Sequence, residues 1–538
     1  MFRKICLILL VISSLKAITV NETINQRNLF EKQKETFKEK EKQKSEEILH
    51  YDIKKPKIEK IDGGKCFEIN EIKEVGFTLL SQNEKLKVYN KYLGKCNTLT
   101  DIKNLINELT TLYIDKGYIT SKVYLKQQNI KKGILTLFAV EGKIEDISAK
   151  KLYTKNVFFG LKDDYLNLRD LEVGIENINR LPSNNAKLNL KPGTKAGLTI
   201  VDIENESSFP INGYISYNNY GSNPTGKHQI GLNVNIDNPL GFNDLFSINY
   251  NTTNKHNTQN NSIGDTYSYS FPIGRLLYTL SYSESKYKQI IPANFNEFDT
   301  KGKNKNYTLD LNYKLFHNQS NKLSLGYFVN HYSSKNYINE ALIETSTYNL
   351  SKTGFKVNYI YQSQTFQMYT TLQHLRGVHW FNNENPTSLD DKFKVFILDN
   401  TISTSFSNFK YSLDIHAQRS SQQLFSVNQI SIGGPYSVRG YKEDGLSGNS
   451  GYYYRNELTY IINNETLKKL NPTPYIALDG GWIKKQDDTD GGTLLGKAIG
   501  LKLNYKSLYY DMYYSKAIKK DDVTANKNFL GFNVSYKF

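Results

Sequence analysis

The chain has 538 residues, a formal net charge of +16, 40 Tyr, 27 Phe and a mean hydropathy of −0.55. That length exceeds one ordinary domain, and so polar and tyrosine-rich a composition excludes a helical membrane protein. A charge this positive would suit nucleic acid, but an export signal removes that partner; the cations read instead as lumen walls and loops facing anionic lipid headgroups, or as a solvated lysine-rich bias.

Residues 1–17 carry Arg3 and Lys4 ahead of an apolar run, with Ala17 as a small residue at the cleavage point. This pattern is a secretory signal peptide, too short to span a bilayer. Cleavage removes Cys6 and leaves Cys66 and Cys96. In an exported chain these most simply form one disulfide, closing a loop of about 30 residues worth roughly 3 kcal/mol. Two free thiols or a metal pair are the alternatives, without a His or Cys cluster to support them, and neither metal nor cofactor is expected. Residues 18–50 form a Lys/Glu-rich stretch in which Glu31, Glu35 and Glu39 keep helical spacing, so a solvated helix is expected, either free or housed in a wet cavity. Residues 51–64, with Pro56, Gly63 and Gly64, read as a linker.

Residues 65–143 read as an α/β module. Its expected order is a strand over 66–75, helices over 81–92 and 100–114, then strands over 118–125 and 134–140. Ile102, Leu105, Ile106, Leu109 and Leu112 mark the second helix, with Thr98 or Thr100 as its N-cap and Gly117 as its stop. Residues 144–207 read as a second module, with a helix over 167–181 ended by Pro182 and strands over 186–190 and 197–205.

From residue 208 to 538 apolar and polar residues alternate in short stretches. In 409–418, Tyr411, Leu413, Ile415 and Ala417 share one face, and Lys410, Ser412, Asp414, His416 and Gln418 the other. The last stretch repeats the pattern, Phe532, Val534, Tyr536 and Phe538 alternating with Asn533, Ser535 and Lys537. Period-2 alternation puts these sets on opposite faces of a strand. A soluble sandwich alternates too, but a dry core would not accept Lys, Asp, His and Gln in succession, whereas a wet lumen would. The prediction is a transmembrane β-barrel. About 330 residues, at about 20 per strand with its turn, allow about 16 antiparallel strands. The polar insertions 283–306 and 377–392 are expected to be extracellular loops.

Several ordered motifs carry a resemblance. They are Cys66-Phe67-Glu68-Ile69, Gly94-Lys95-Cys96, the run from Tyr113 to Ser121 and the run from Val140 to Ile144 in the first module. Asn179-Arg180-Leu181-Pro182 and Lys191-Pro192-Gly193 follow in the second, then Asn219-Tyr220-Gly221 and the run from Asn238 to Asp244 at the start of the alternating region. The chain resembles the two-partner secretion transporters of the haemolysin-activator type, within the outer-membrane assembly-factor superfamily. The resemblance implies that the two modules are POTRA domains and that residues 18–50 plug the resting pore. It also implies that Val438, Arg439, Gly440 and Tyr441, on a loop around 431–450, fold into the barrel, with Arg439 pairing with Asp479 on the inner wall. Ala477 stands where the family often has an aromatic residue. Strand parity agrees independently, since Ile476, Leu478 and Trp482 on the lipid face leave Asp479 in the lumen. Arg455 and Glu457 either extend this network or only line the wall.

The expected function is export of a large secreted β-rich partner from periplasm to cell surface through an outer-membrane pore. The partner's N-terminal secretion domain would add as a strand at an open sheet edge, with Tyr118, Thr120, Lys122 and Tyr124 on 118–125, and Leu198 and Ile200 on 197–205, as candidate contacts. Outer-membrane lipid, lipopolysaccharide and the barrel-assembly machinery are further expected partners, and nucleic acid is not. The alternative is an assembly factor that inserts other barrels, which typically has more POTRA modules; a passive porin has no need of such modules. An enzyme is disfavoured, because no nucleophile, base and orienting group stand together and no phosphate-binding glycine loop occurs.

Overall fold

The computed structural model describes residues 55–59, 65–150, 152–253, 260–292, 297–318, 320–442, 445–467, 469–486, 491–520 and 528–538. The expected signal peptide (1–17), the polar helix (18–50) and all of the linker (51–64) except 55–59 lie outside the described residues.

The first module runs β1 (Phe67–Ile69), β2 (Glu71–Val75), α1 (Gln82–Tyr89), β3 (Lys95–Asn97), α2 (Leu99–Asp115), β4 (Lys122–Leu125) and β5 (Ile134–Val140). At the start of α2, Thr98 accepts the Asp101 N–H while the Asp101 carboxylate accepts the Thr98 N–H, a reciprocal cap that fixes where the helix begins. The stripe Ile102, Leu105, Leu109 and Tyr113 then buries itself against Ile69, Val123, Leu135 and Leu137. The single strand expected over 66–75 is two. It breaks at Asn70, whose N–H donates to the Gly133 carbonyl at 2.8 Å, so β1 pairs with β3 and β2 with β5. The disulfide between Cys66 and Cys96, Cα atoms 5.3 Å apart, sits beside the β1–β3 pair. In the linker, Glu59 lies along α2, its N–H donating to Asn104 Oδ1 at 2.8 Å.

The second module holds β6 (Lys143–Ala149), α3 (Leu168–Asn179), β7 (Asn184–Pro192) and β8 (Leu198–Ser207), with sheet order β6-β8-β7. The stretch 197–205 is therefore central and not an edge: β8 pairs in parallel with β6 and antiparallel with β7, which leaves Leu198 and Ile200 no free backbone edge to offer. Sequence pattern could not show this, because Thr199, Val201 and Ile203 face the buried side in the same alternation that an edge strand would have. In the first module the order β2-β5-β4 does make β4 an edge. It starts only at Lys122. Tyr118 and Thr120 lie in the turn after α2, where Tyr118 still donates its N–H back to Tyr113 at 2.9 Å.

Beyond residue 210 sixteen antiparallel strands close into a barrel, from Ile211–Asn218 to Phe529–Lys537, the last pairing with the first. Ile476, Leu478 and Trp482 are exposed on its outside while Tyr475, Ala477 and Asp479 are buried inside. The inner wall is polar and self-bonded: Asn235 donates to Asn233 and Asn212, both at 3.0 Å, and Asn330 to Asn306 at 2.6 Å. Ser412, Asp414, His416 and Gln418 line a lumen cavity of about 1500 Å³. A largely wet wall explains why the sequence keeps polar residues at most of its inward positions.

The stretch 283–306 is not the expected loop. Strands Leu276–Pro292 and Glu297–His317, 17 and 21 residues long, pair across it from Ser283 with Asn306 up to Pro292 with Glu297. These lengths exceed the roughly 9–11 residues that cross a bilayer, so the upper parts stand in water on both faces and lose their apolar set. Charge pairing replaces it, with Glu284 accepting from Lys286 on its own strand at 2.7 Å and from Lys303 across the pair at 3.1 Å. The segment between strands Phe366–Val378 and Lys394–Phe406 does form a loop.

Candidate functional site: an inward loop fastened to the barrel wall

Residues 430–441 leave the extracellular rim and are buried inside the barrel. The loop turns at Gly433 and Gly434, with φ of 110° and 101°, and again at Gly440, with φ of 105°. At Gly440 a Cβ would fall 2.7 Å from the Ala517 backbone nitrogen, and at Gly496 it would fall 1.8 Å from the Arg439 carbonyl oxygen. Loop and wall thus touch backbone to backbone, which only glycine on both sides permits. Val438 and Tyr441 pack with Ile430, Ile432, Tyr453, Ile483 and Leu494 in a dry patch on an otherwise wet wall.

Arg439 is 2% exposed and Asp479 0%. The guanidinium donates through Nε to Asp479 Oδ2 at 2.6 Å and through Nη2 to Oδ1 at 2.9 Å, a two-pronged arrangement that fixes direction as well as distance. Its backbone N–H adds a third bond to the same carboxylate at 3.2 Å. Nη1 reaches Glu457 Oε2 at 3.2 Å, and the other oxygen of Glu457 accepts from Lys502. Two cations thus face two carboxylates, the Arg439–Asp479 pair buried and the Glu457–Lys502 pair opening onto the lumen cavity. The Tyr475 and Tyr513 rings lie 5.8 and 6.0 Å from the guanidinium carbon, supplying the aromatic neighbours that Ala477 cannot. Tyr441 is held by backbone: its hydroxyl lies 2.9 Å from the Leu495 carbonyl and bonds the Lys519 carbonyl. Both groups sit at a bulge where the register of strands Gly492–Tyr505 and Leu508–Lys520 shifts between Leu495 and Gly496, freeing backbone acceptors for it.

The structure brings Val438, Arg439, Gly440, Tyr441, Asp479 and Glu457 together. Arg455 lies on the same wall, in register with Asp479 and Asp414. Sequence reasoning missed Lys502, Tyr475, Tyr513 and Gly496, whose proximity depends on strand register far along the chain. It also missed a second contact at the periplasmic mouth. There α3 of the second module docks under the barrel, Asp170 meeting Arg275 at 2.5 Å, Glu176 meeting Lys314 at 2.9 Å and Lys322 at 2.6 Å. Arg180 donates to the Asn243 carbonyl at 2.9 Å and to Ser270 Oγ at 2.8 Å, so two motifs that are separate in sequence meet here. Burial opposes the charge on Glu176, but Lys314 and Lys322 outweigh it and hold its carboxyl well below the usual carboxylate range.

A closed lipid-facing barrel, two small α/β modules at its mouth and a loop fastened inside the lumen define an outer-membrane transporter of two-partner secretion. Comparison with known proteins agrees. Residues 197–503 match the family model for haemolysin secretion/activation proteins ShlB/FhaC/HecB, residues 67–142 the ShlB-type POTRA domain, and residues 139–192 a further POTRA domain model. The outer membrane transporter CdiB of Dickeya dadantii is 29% identical over 81% of this chain and 80% of its own length. The hemolysin transporter protein ShlB of Serratia marcescens is 27% identical over 84% and 82%. The solved structure of CdiB from Escherichia coli superposes with a TM-score of 0.87 at 26% identity, covering 95% of this chain and 98% of that one. The chain belongs to the ShlB/FhaC/HecB family of haemolysin secretion/activation proteins. It is an outer-membrane protein with its POTRA domains in the periplasm, and its relatives are transporters, which favours secretion over barrel assembly.

Arg439→Ala or Asp479→Ala is expected to leave a heat-modifiable, inserted barrel but to lower the partner at the cell surface on the order of ten-fold or more, since the first strands the Asp479 carboxylate and the second leaves Arg439 with Glu457 alone. Wild-type secretion by both variants would remove the latch. At the mouth, the Glu176 pKa is depressed, so the docking it supports is complete above pH 4.5 and fails only as pH falls through the lowered value. Hydrogen exchange in α3 should therefore stay slow at pH 5 in the wild type and become fast at pH 7 in Glu176→Gln; equal protection of the two proteins would contradict this.

Proposed function

We propose that this chain exports one large, β-rich secreted protein of the haemolysin, adhesin or toxin type, captured in an extended state by its POTRA domains and passed through the lumen past the fastened loop. The carrying observation is the Arg439–Asp479 fork, because a diffusion pore has no use for a loop bonded across its own channel. Residues 65–143 and 144–207 act as receiving modules and 208–538 as the conduit. Outer-membrane lipid and lipopolysaccharide surround the barrel, and the barrel-assembly machinery inserts it.

β4 and β7, two of the four strands that end the three-stranded POTRA sheets, can receive the partner. On β4 the Lys122 and Tyr124 side chains are exposed, but the outward Val123 N–H is already taken by Thr110 Oγ1 at 3.2 Å. On β7 the Asn179 side chain occupies both backbone groups of Ala186, at 2.7 and 3.0 Å, and stops there. Leu188 and Leu190 follow with the same outward parity, presenting backbone donors and acceptors to an added strand. β7 is the better edge.

Proline distinguishes this role from a structural one. At Leu190 it removes an outward N–H and spares the β7–β8 ladder, whereas at Asn189 it breaks that ladder. Leu190→Pro is expected to keep a folded, protease-resistant module and abolish binding of the partner's N-terminal domain. Unchanged secretion by Leu190→Pro would rule out this edge.

A further inference from the structure

The extracellular end of the barrel's outer wall carries a cationic cluster that plays no part in the latch or the modules. Arg376 lies two residues from the end of strand Phe366–Val378, Lys394 begins strand Lys394–Phe406 and Arg419 ends strand Phe409–Arg419, so all stand at the rim opposite the POTRA domains. Their neighbours Leu375, Val395 and Gln418 line the lumen, so alternation points these three outward, where each is exposed. Arg376 lies directly across from Lys394 in the strand register. Arg419 is paired with Phe396, one diagonal step from Lys394, about 7–8 Å away in an ordinary sheet.

Like charges set opposite each other disfavour strand pairing. On the neighbouring long strands four lysines are matched within the protein: Lys286 and Lys303 by Glu284, Lys288 by Asp299, Lys301 by Glu340. Arg376, Lys394 and Arg419 have no such side-chain partner among the described residues. The nearest loop carboxylates are engaged otherwise, Asp391 with His379 at 2.9 Å and Asp390 with the Lys392 N–H at 2.8 Å. An anion from outside the chain is the missing counterpart.

Height selects the anion. Arg376 lies ten residues above Phe366, and Arg419 ten above Phe409, where the Phe406, Phe409 and Tyr460 rings mark the periplasmic girdle. Ten residues at about 3.3 Å each, tilted by about 40°, rise about 25 Å, the height of a barrel's apolar band. The cations therefore sit at the headgroup level of the outer leaflet. Directly below them Phe355, Leu372 and Phe396 are 67%, 52% and 58% exposed, and the His374 ring lies 4.6 Å from that of Phe396, an apolar surface for acyl chains. Secreted cargo travels inside the barrel and would not meet this face.

We propose that Arg376, Lys394 and Arg419 form a binding site for the phosphorylated headgroup of an outer-leaflet glycolipid, with its acyl chains lying over Phe355, Leu372 and Phe396. The site rests on the outer-membrane reading but not on the secretion step, so binding by the purified full chain in detergent tests it separately from export. The probes are hexa-acylated lipid A with two phosphates, the same lipid with both phosphates removed, and inorganic phosphate, with native mass spectrometry as the readout. The wild type should bind the phosphorylated lipid, and the Arg376→Gln/Lys394→Gln/Arg419→Gln variant should bind it at least about ten-fold more weakly, as three charge-assisted contacts are lost. Lys394→Glu, which gives the two arginines a carboxylate of their own, should lose binding too, while Lys286→Gln among the matched lysines should not. Equal binding of the phosphorylated and stripped lipids by the wild type would overturn the proposal, whatever the fate of the variants. So would undiminished binding by a folded triple variant, or displacement by inorganic phosphate at the lipid's own concentration.

Discussion

A guanidinium held out of water inside a wet barrel is stable only if its charge is answered in place. Arg439 meets that condition through the Asp479 fork, with Glu457 and Lys502 completing a neutral set of four. Removing one member of such a buried set costs about 3–5 kcal/mol, which is more than enough to decide whether a loop stays in its seat. The glycines at 440 and 496, the bulge that receives Tyr441 and the dry patch around Val438 are all arranged so that Arg439 can reach that carboxylate. The loop in turn shapes the lumen, lying inside it against the wall strands that carry Asp479, Gly496 and Ala517.

The periplasmic mouth repeats the same physics with looser burial. Asp170, Glu176 and Arg180 on or just after α3 engage Arg275, Lys314, Lys322 and the backbone at Asn243. The second POTRA domain is thereby bonded to the base of several strands at once, which sets its open edge β7 close to the entrance. Both ends of the conduit are thus governed by charge pairs on elements that are separate from the lipid-facing wall, and neither asks anything of the apolar girdle.

The fold was largely legible because alternation with period 2 survives wherever one strand face meets lipid and the other meets water; stretch 409–418 shows both faces plainly. It failed at 283–306, where strands rise out of the bilayer and both faces are polar, so the apolar marker disappears while pairing continues. It failed again for β8, since a middle strand and an edge strand have the same one-sided burial when helices cover only one face. In the site, Arg439 was reached by resemblance, Asp479 by resemblance and parity, and Glu457 shared the inward face of its strand. Lys502, Tyr475 and Tyr513 were hidden, because which residues meet across the lumen depends on register set by turns and a bulge that no local pattern encodes.

The most direct test of the account asks whether Arg439 and Asp479 act as one unit in seating the loop. Hydrogen exchange across residues 433–441 would be measured in Arg439→Ala, in Asp479→Ala and in the double variant, all as inserted barrels. If the pair is the fastening, the double variant leaves no unmatched charge, since Glu457 keeps Lys502, and it should exchange no faster than the worse single variant. Accelerations that simply add would show that the two residues act independently, and the fastening described here would be wrong.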